Sequence, residues 1–197
     1  MNAVAAIDRA IMERALQDLE FWRRARVRVP RISVNVSASR LDDDTLMAEL
    51  RESGAAGEAL SFELVEPMAM DDNETFSSTA IDQIKEIGIH VEIDDFGAGH
   101  ASMVGLLKLN PKRLKIDRQL ISPILDSAEH ARLVGAIIEM GKSLGIEVIA
   151  KGVETMEQAK LLRKLGCDAF QGFAFARPMT AEELVGFIQG AELRRAS

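Results

Sequence analysis

The sequence predicts an α/β fold of the TIM type, a parallel (β/α)8 barrel whose first strands are absent from this chain. Three observations carry that prediction. Short strand-like runs alternate with amphipathic helical stretches along all 197 residues. Several of the strands are nearly continuous apolar runs, the pattern of a sheet covered on both faces. Polar residues gather towards the C-terminal ends of those runs, at Asn35, Glu63, Asp94, Lys115 and Lys151, and the C-terminal face is where such a barrel carries its chemistry.

The strand-like runs are ISVNV (32–36), LSFELV (60–65), IHVEID (89–94), RLKI (113–116), IEVIA (146–150) and the weaker AFQGF (169–173). Helical periodicity covers about 4–26, 40–52, 74–87, 101–108, 128–144, 156–165 and 181–193. Gly88, Gly145 and Gly166 follow three of these stretches, where glycine suits a helix C-terminus. Such alternation means parallel strands joined by crossover helices. A closed barrel has eight strands and typically about 250 residues. Six strands would leave unpaired edges, and the chain opens directly on a helix, so strands preceding Met1 are expected to be missing. No Pro/Gly/Ser-rich linker or repeat divides the rest, and residues 1–197 read as a single domain.

Composition narrows the function classes. A chain that is 47% hydrophobic and 28% charged has ample material for a core. Its formal net charge of −7 argues against a grip on duplex nucleic acid, which needs a basic face. Trp22, the single tryptophan, lies in a helical stretch and reads as a core or interface residue rather than a platform for stacked bases. One cysteine, Cys167 in LGCDAF, allows no internal disulfide and reads as a small buried residue in a reducing compartment. No apolar run reaches the roughly 18 residues of a membrane span, and MNAVAAIDRAIMERAL is an amphipathic helix rather than a signal peptide. The expected location is the cytoplasm, either alone or as the cytoplasmic part of a longer protein.

The chemistry centres on Asp94 and Asp95 in IDDFGAGH. Adjacent carboxylates raise each other's pKa, and a cation relieves the cost. Gly97 and Gly99 let the following loop turn tightly and approach a ligand. Oxygen donors of this kind suit Mg2+ or Mn2+, whereas zinc recruits His or Cys. His90, His100 and His130 form no ligand pattern; His100 is the one placed to line a pocket. A plain solvated loop is the competing account of DDFG, and the polar strand ends Asn35, Glu63 and Lys115 weigh against it.

The order of motifs resembles the EAL domain, the cyclic-di-GMP phosphodiesterase family, over essentially the whole chain. The segments are SVNVSASRL, FELVE, DDFGAGHAS, LKIDRQL, GVET (152–155) and GCDAFQGFAFARPM. The resemblance implies an EAL-like barrel in which two divalent cations, Mg2+ or Mn2+, hold the phosphodiester of cyclic-di-GMP and activate a water, giving pGpG. It implies Asn35, Glu63 and Asp94 as ligands of one metal, with Asp94 and Asp95 serving the second or its water. Lys115 would steady the attacking water or the phosphate, Gln171 would help hold the water or metal, and Glu66 would anchor the loop after DDFG. Glu154 resembles a further glutamate of the same site, with a structural place at a helix start as its alternative. The implied partners are cyclic-di-GMP, a second copy in a homodimer through GAGHASMVGLL, and an upstream GGDEF or sensory module.

Two departures from the family pattern stand out. The glutamate of the family's defining tripeptide lies on an early strand with no counterpart before Asn35. The literal Glu58-Ala59-Leu60 precedes the FELVE strand, where the family has no such ligand, and is a chance match. Lys151 stands where the family has the glutamate of A-E-G-V-E, its implied general base. A protonated lysine is a donor with no acceptor, so hydrolysis is expected to be weak or absent unless neighbouring cations keep the amine neutral. The other readings are a cyclic-di-GMP receptor in which Lys151 pairs with phosphate, or a regulatory or dimerisation domain.

Overall fold

In the computed structural model, which describes residues 3–41, 43, 45–52, 59–65, 78–99 and 103–196, the six expected strands form one sheet. They are β1 (Ile32–Asn35), β2 (Leu60–Val65), β3 (His90–Phe96), β4 (Arg113–Ile116), β5 (Glu147–Lys151) and β6 (Ala169–Gln171). Every neighbouring pair is parallel and the spatial order equals the sequence order. β1 and β6 are the edges of this curled sheet among the described residues.

Helices carry the chain back between strands. They are α1 (Ala3–Arg24), α2 (Ala38–Leu41), α3 (Thr45–Glu52), α4 (Ser78–Glu86), α5 (Met103–Leu109), α6 (Arg118–Ile121), α7 (Ala128–Ser143), α8 (Met156–Leu165) and α9 (Ala181–Ala196). No described helix is long and apolar enough to cross a membrane. The stretch expected as one helix over 40–52 is two. Asp43 lies between them outside either helix, its carboxylate accepting from the backbone N–H of Thr45, the first residue of α3, at 2.9 Å. Gly166 ends α8 in the left-handed region at φ 90°, a conformation that costs glycine little.

The strand period of two sorts the residues. Phe62 and Leu64, Val91 and Ile93, Leu114 and Ile116, and Val148 and Ala150 form the core with Ile84, Leu106, Val134, Ile138 and Leu162 from the helices. The opposite parity carries Ser33, Asn35, Glu63, Glu92, Asp94, Arg113, Lys115, Glu147 and Lys151. One sheet face thus packs and the other is almost wholly polar.

A second, smaller cluster joins the two ends of the described chain. Trp22, Val27 and Ala181 are buried, with Leu19, Leu184, Val185 and Ile188 against them. The Trp22 indole N–H donates to the Ala181 carbonyl at 2.9 Å, which satisfies the polar edge of a large buried ring. Cys167 is buried as expected.

Candidate functional site

Parallel register assembles the polar face into tiers. Asn35 lies opposite Glu63, Glu63 opposite Glu92, Glu92 opposite Arg113, and Arg113 opposite Glu147. Adjacent strands are about 4.8 Å apart, so this is a continuous row of polar residues across five strands. Towards the C-terminal ends follow Asp94, which faces Val65, and Lys115, which faces Ile149. Lys151 lies two residues beyond Ile149 on β5 and is in register with Gln171 on β6.

Lys151 is bonded to both aspartates. Its ammonium lies 2.7 Å and 2.8 Å from the two carboxylate oxygens of Asp94, and 2.7 Å from Oδ1 of Asp95. Consecutive strand residues normally point to opposite faces. Here the backbone of Asp95 turns into the left-handed region at φ 53°, and the β3–β4 register shifts between Ile93 and Phe96. Aspartate tolerates this conformation better than most residues. The turn brings both carboxylates to one ammonium, and Gly97 continues it at φ 91°.

Electrostatics follow from that geometry. Burial pulls the Lys151 pKa down, but the hydrogen bonds and charges of Asp94 and Asp95 outweigh it and hold it above the usual lysine value. The side chain is an ammonium at neutral pH, without the lone pair a general base needs. Burial pushes Asp95 up, and the hydrogen bond and charge of Lys151 more than reverse this, with smaller contributions from Asp117 and Lys115. Its carboxylate therefore sits below the usual range.

One tier lower, Lys115 is paired with Glu63 and lies 3.3 Å from Glu92. Glu92 also accepts from the Ser33 hydroxyl at 3.1 Å and from Arg113 at 3.4 Å, and Arg113 continues to Glu147 at 2.5 Å. Glu92 is fully buried, with a side-chain exposure of 0%, and no site role was expected for it. Its signal was present in the sequence: in HVEIDD it is two residues before Asp94, hence on the same sheet face.

The remaining expected residues lie as follows. Asn35 and Gln171 are exposed on the two edge strands. Glu154 is exposed and pairs with Arg118 at 3.2 Å, and its backbone N–H donates to the Gln158 side chain at 2.8 Å at the start of α8. Glu66, His100 and Glu58 lie outside the described residues. His90 begins β3, and His130 belongs to the first turn of α7, where its ring meets the Ser127 hydroxyl at 2.9 Å.

A divalent pair does not fit the donors as arranged. Three oxygens of Asp94 and Asp95 hold one ammonium, and Glu63 holds another. Among the described residues no group of three or more His, Cys, Asp or Glu side chains is placed to hold a metal ion.

Comparison with known proteins bears on the same residues. The EAL domain model matches residues 1–178. The oxygen sensor protein DosP of Escherichia coli is 34% identical over 95% of this chain and 24% of its own length. The bifunctional diguanylate cyclase/cyclic di-GMP phosphodiesterase MucR of Pseudomonas aeruginosa is 33% identical over 94% of this chain and 27% of its own. The chain thus spans about a quarter of these relatives. Among solved structures, the MucR phosphodiesterase in complex with c-di-GMP superposes with a TM-score of 0.78 at 33% identity, covering 87% of this chain and 70% of that one. The EAL domain of Mycobacterium smegmatis DcpA gives 0.85 at 26% identity, covering 96% and 86%. BlrP1 of Klebsiella pneumoniae, solved with manganese and cyclic-di-GMP, gives 0.69 at 28% identity, covering 77% and 40%. With its motifs in order on a sheet that superposes on these structures, the chain belongs to the EAL domain family.

Proposed function

We propose that this chain is a cyclic-di-GMP phosphodiesterase domain of the EAL type, serving second-messenger signalling, with hydrolysis impaired by Lys151. The observation that carries the reading is the succession Asn35, Glu63, Asp94, Lys115, Lys151 and Gln171 on six consecutive strands, in a chain that superposes on a c-di-GMP complex. Residues 1–197 belong in this reading to one EAL-like barrel domain. In this reading Gln171 orients a bound phosphodiester or water, Lys115 holds Glu63 and Glu92 beneath it, and Asn35, Glu63, Asp94 and Asp95 supply acceptor oxygens once released from their lysines.

Impairment follows from charge and donor count. The position that needs an acceptor for the water's proton carries a donor, and general-base work is worth factors of about 10²–10⁴. A divalent cation, Mg2+ or Mn2+, supplies a Lewis acid and a low-pKa water where it is bound; in this chain that requires the aspartates to release Lys151. The bifunctional relative supports an upstream GGDEF or sensory module, and a homodimer is the expected assembly.

The test is incubation with cyclic-di-GMP and Mg2+ or Mn2+, with pGpG quantified by chromatography. The native chain is expected to turn over slowly or not at all, and Lys151→Glu to raise the rate about 100-fold or more. Native turnover equal to that of Lys151→Glu would remove the impairment. Calorimetry with cyclic-di-GMP separates a retained ligand pocket from a domain kept only for assembly, since the latter gives no heat of binding.

A further inference from the structure

We propose that Lys151 is a built-in counter-ion that takes the place of a divalent cation between Asp94 and Asp95, so that the pocket assembles without metal and excludes it. This deepens the EAL reading above and rests on it. The argument begins with valence. An ammonium has three N–H donors and no acceptor, and Lys151 meets three carboxylate oxygens at 2.7 Å, 2.8 Å and 2.7 Å. Its donor capacity is spent on the aspartates, and none is left for a phosphate or a water.

Placement makes the exchange permanent. Lys151 ends β5, which is paired on both sides, to β4 and to β6. Its side chain is 22% exposed and that of Asp94 is 8% exposed, against 43% for Asp95, so the Asp94 half of the contact is largely shielded from solvent. A tethered cation needs no concentration in solution to stay bound, and this effective concentration favours it over a free ion. The tier below repeats the arrangement, with Lys115 between Glu63 and Glu92. Four carboxylates, Glu63, Glu92, Asp94 and Asp95, are thus each paired from within by Lys115 and Lys151 of the adjacent strands β4 and β5, with Arg113 assisting at Glu92, and these cations offset part of the acidic charge. A divalent ion entering this pocket would face ammonium groups at the donor oxygens and would have to displace them.

Two consequences separate this from simple loss of a base. The native fold is insensitive to divalent ions, and removal of the Lys151 charge alone unmasks a cation site. The experiment needs no dinucleotide: thermal unfolding of the native chain, Lys151→Met and Lys151→Glu is followed in EDTA and in millimolar MnCl2. The native midpoint is expected to be the same in both. Both variants are expected to melt lower than native in EDTA and to rise by several degrees with Mn2+, because an ion that binds only the folded state stabilises it. A native midpoint raised by Mn2+ as much as that of the variants overturns the proposal, as do variants indifferent to Mn2+. Should neither variant fold, Mn2+ uptake by the native chain, read by electron paramagnetic resonance, decides alone: no uptake at millimolar ion supports the counter-ion, and saturable micromolar uptake overturns it. Absence of pGpG in the turnover assay leaves this result untouched, and metal sensitivity here leaves the assignment of substrate untouched.

Discussion

The ammonium of Lys151 spans both oxygens of the Asp94 carboxylate, at 2.7 Å and 2.8 Å, across two strands that are not neighbours in the sheet. β3 and β5 are separated by β4, so this pair bridges over the strand that carries Lys115. A double-mutant cycle with Lys151→Met and Asp94→Asn, read by denaturant unfolding, is expected to give a coupling of about 1–3 kcal/mol. Lys151→Met leaves the mostly buried Asp94 carboxylate without its cation, whereas Asp94→Asn leaves Lys151 with Asp95, and the double variant is expected to be more stable than the sum of the two losses implies.

Glu92 is the residue whose loss should be felt most in the lower tier. It is fully buried and meets Ser33, Arg113 and Lys115. Glu92→Ala leaves two cations facing a void, and breaking a buried pair by removing one partner costs about 3–5 kcal/mol. Chemical denaturation should show a loss of about 3 kcal/mol, with Glu92→Gln intermediate because it retains an acceptor for Ser33.

Gly172 follows Gln171 at the point where the chain passes the loop after β5. A Cβ there would lie 2.1 Å from the Val153 carbonyl oxygen and 2.4 Å from its nitrogen. Backbone must move to admit it, so Gly172→Ala is expected to cost about 1–3 kcal/mol and to displace Gln171. Unfolding by heat measures the first, and the secondary-structure signal in the far ultraviolet should stay near native.

Trp22→Phe removes the donor to the Ala181 carbonyl while keeping most of the apolar ring. The expected loss is about 0.5–1.5 kcal/mol, the net worth of one intramolecular hydrogen bond. Because the chain has one tryptophan, native fluorescence reports opening of the α1–α9 seam directly.

Cys167 supplies a pH dependence. Burial pushes its thiol up from 9.0 to about 11, against smaller opposing hydrogen bonds from nearby backbone. In the unfolded chain the thiol ionises near the ordinary value, whereas the folded chain keeps its proton until about 11. The unfolded state therefore binds fewer protons between those values, and stability falls as pH rises through that window. Cys167→Ala is expected to remove this share of the decline, and thiol reagents at pH 8 should label the native chain far more slowly than the denatured one.

Most of the sheet was legible because each strand carries a short apolar run of its own, and because Asn35, Glu63, Asp94, Lys115, Lys151 and Gln171 recur at corresponding ends. What sequence reasoning missed depended on geometry that no local pattern encodes. The reversal of Asp95 rests on a left-handed backbone at a register shift, so its convergence with Asp94 on a lysine 56 positions away could not be read from the adjacency of two acids. The amine of Lys151 was open to two protonation states until its partners were known. Glu92 was hidden in an apolar run, although its spacing from Asp94, and that of Arg113 from Lys115, placed all four on one face. The break within 40–52 falls at Asp43, whose carboxylate takes the Thr45 N–H, where helical periodicity alone continues.

The separation of the two tiers bears on how such a domain changes over generations. The row from Glu63 through Glu92 and Arg113 to Glu147 is held together below Lys151 and without its participation. A substitution at position 151 therefore removes none of the ion pairs that tie β2, β3, β4 and β5 together in this deeper row.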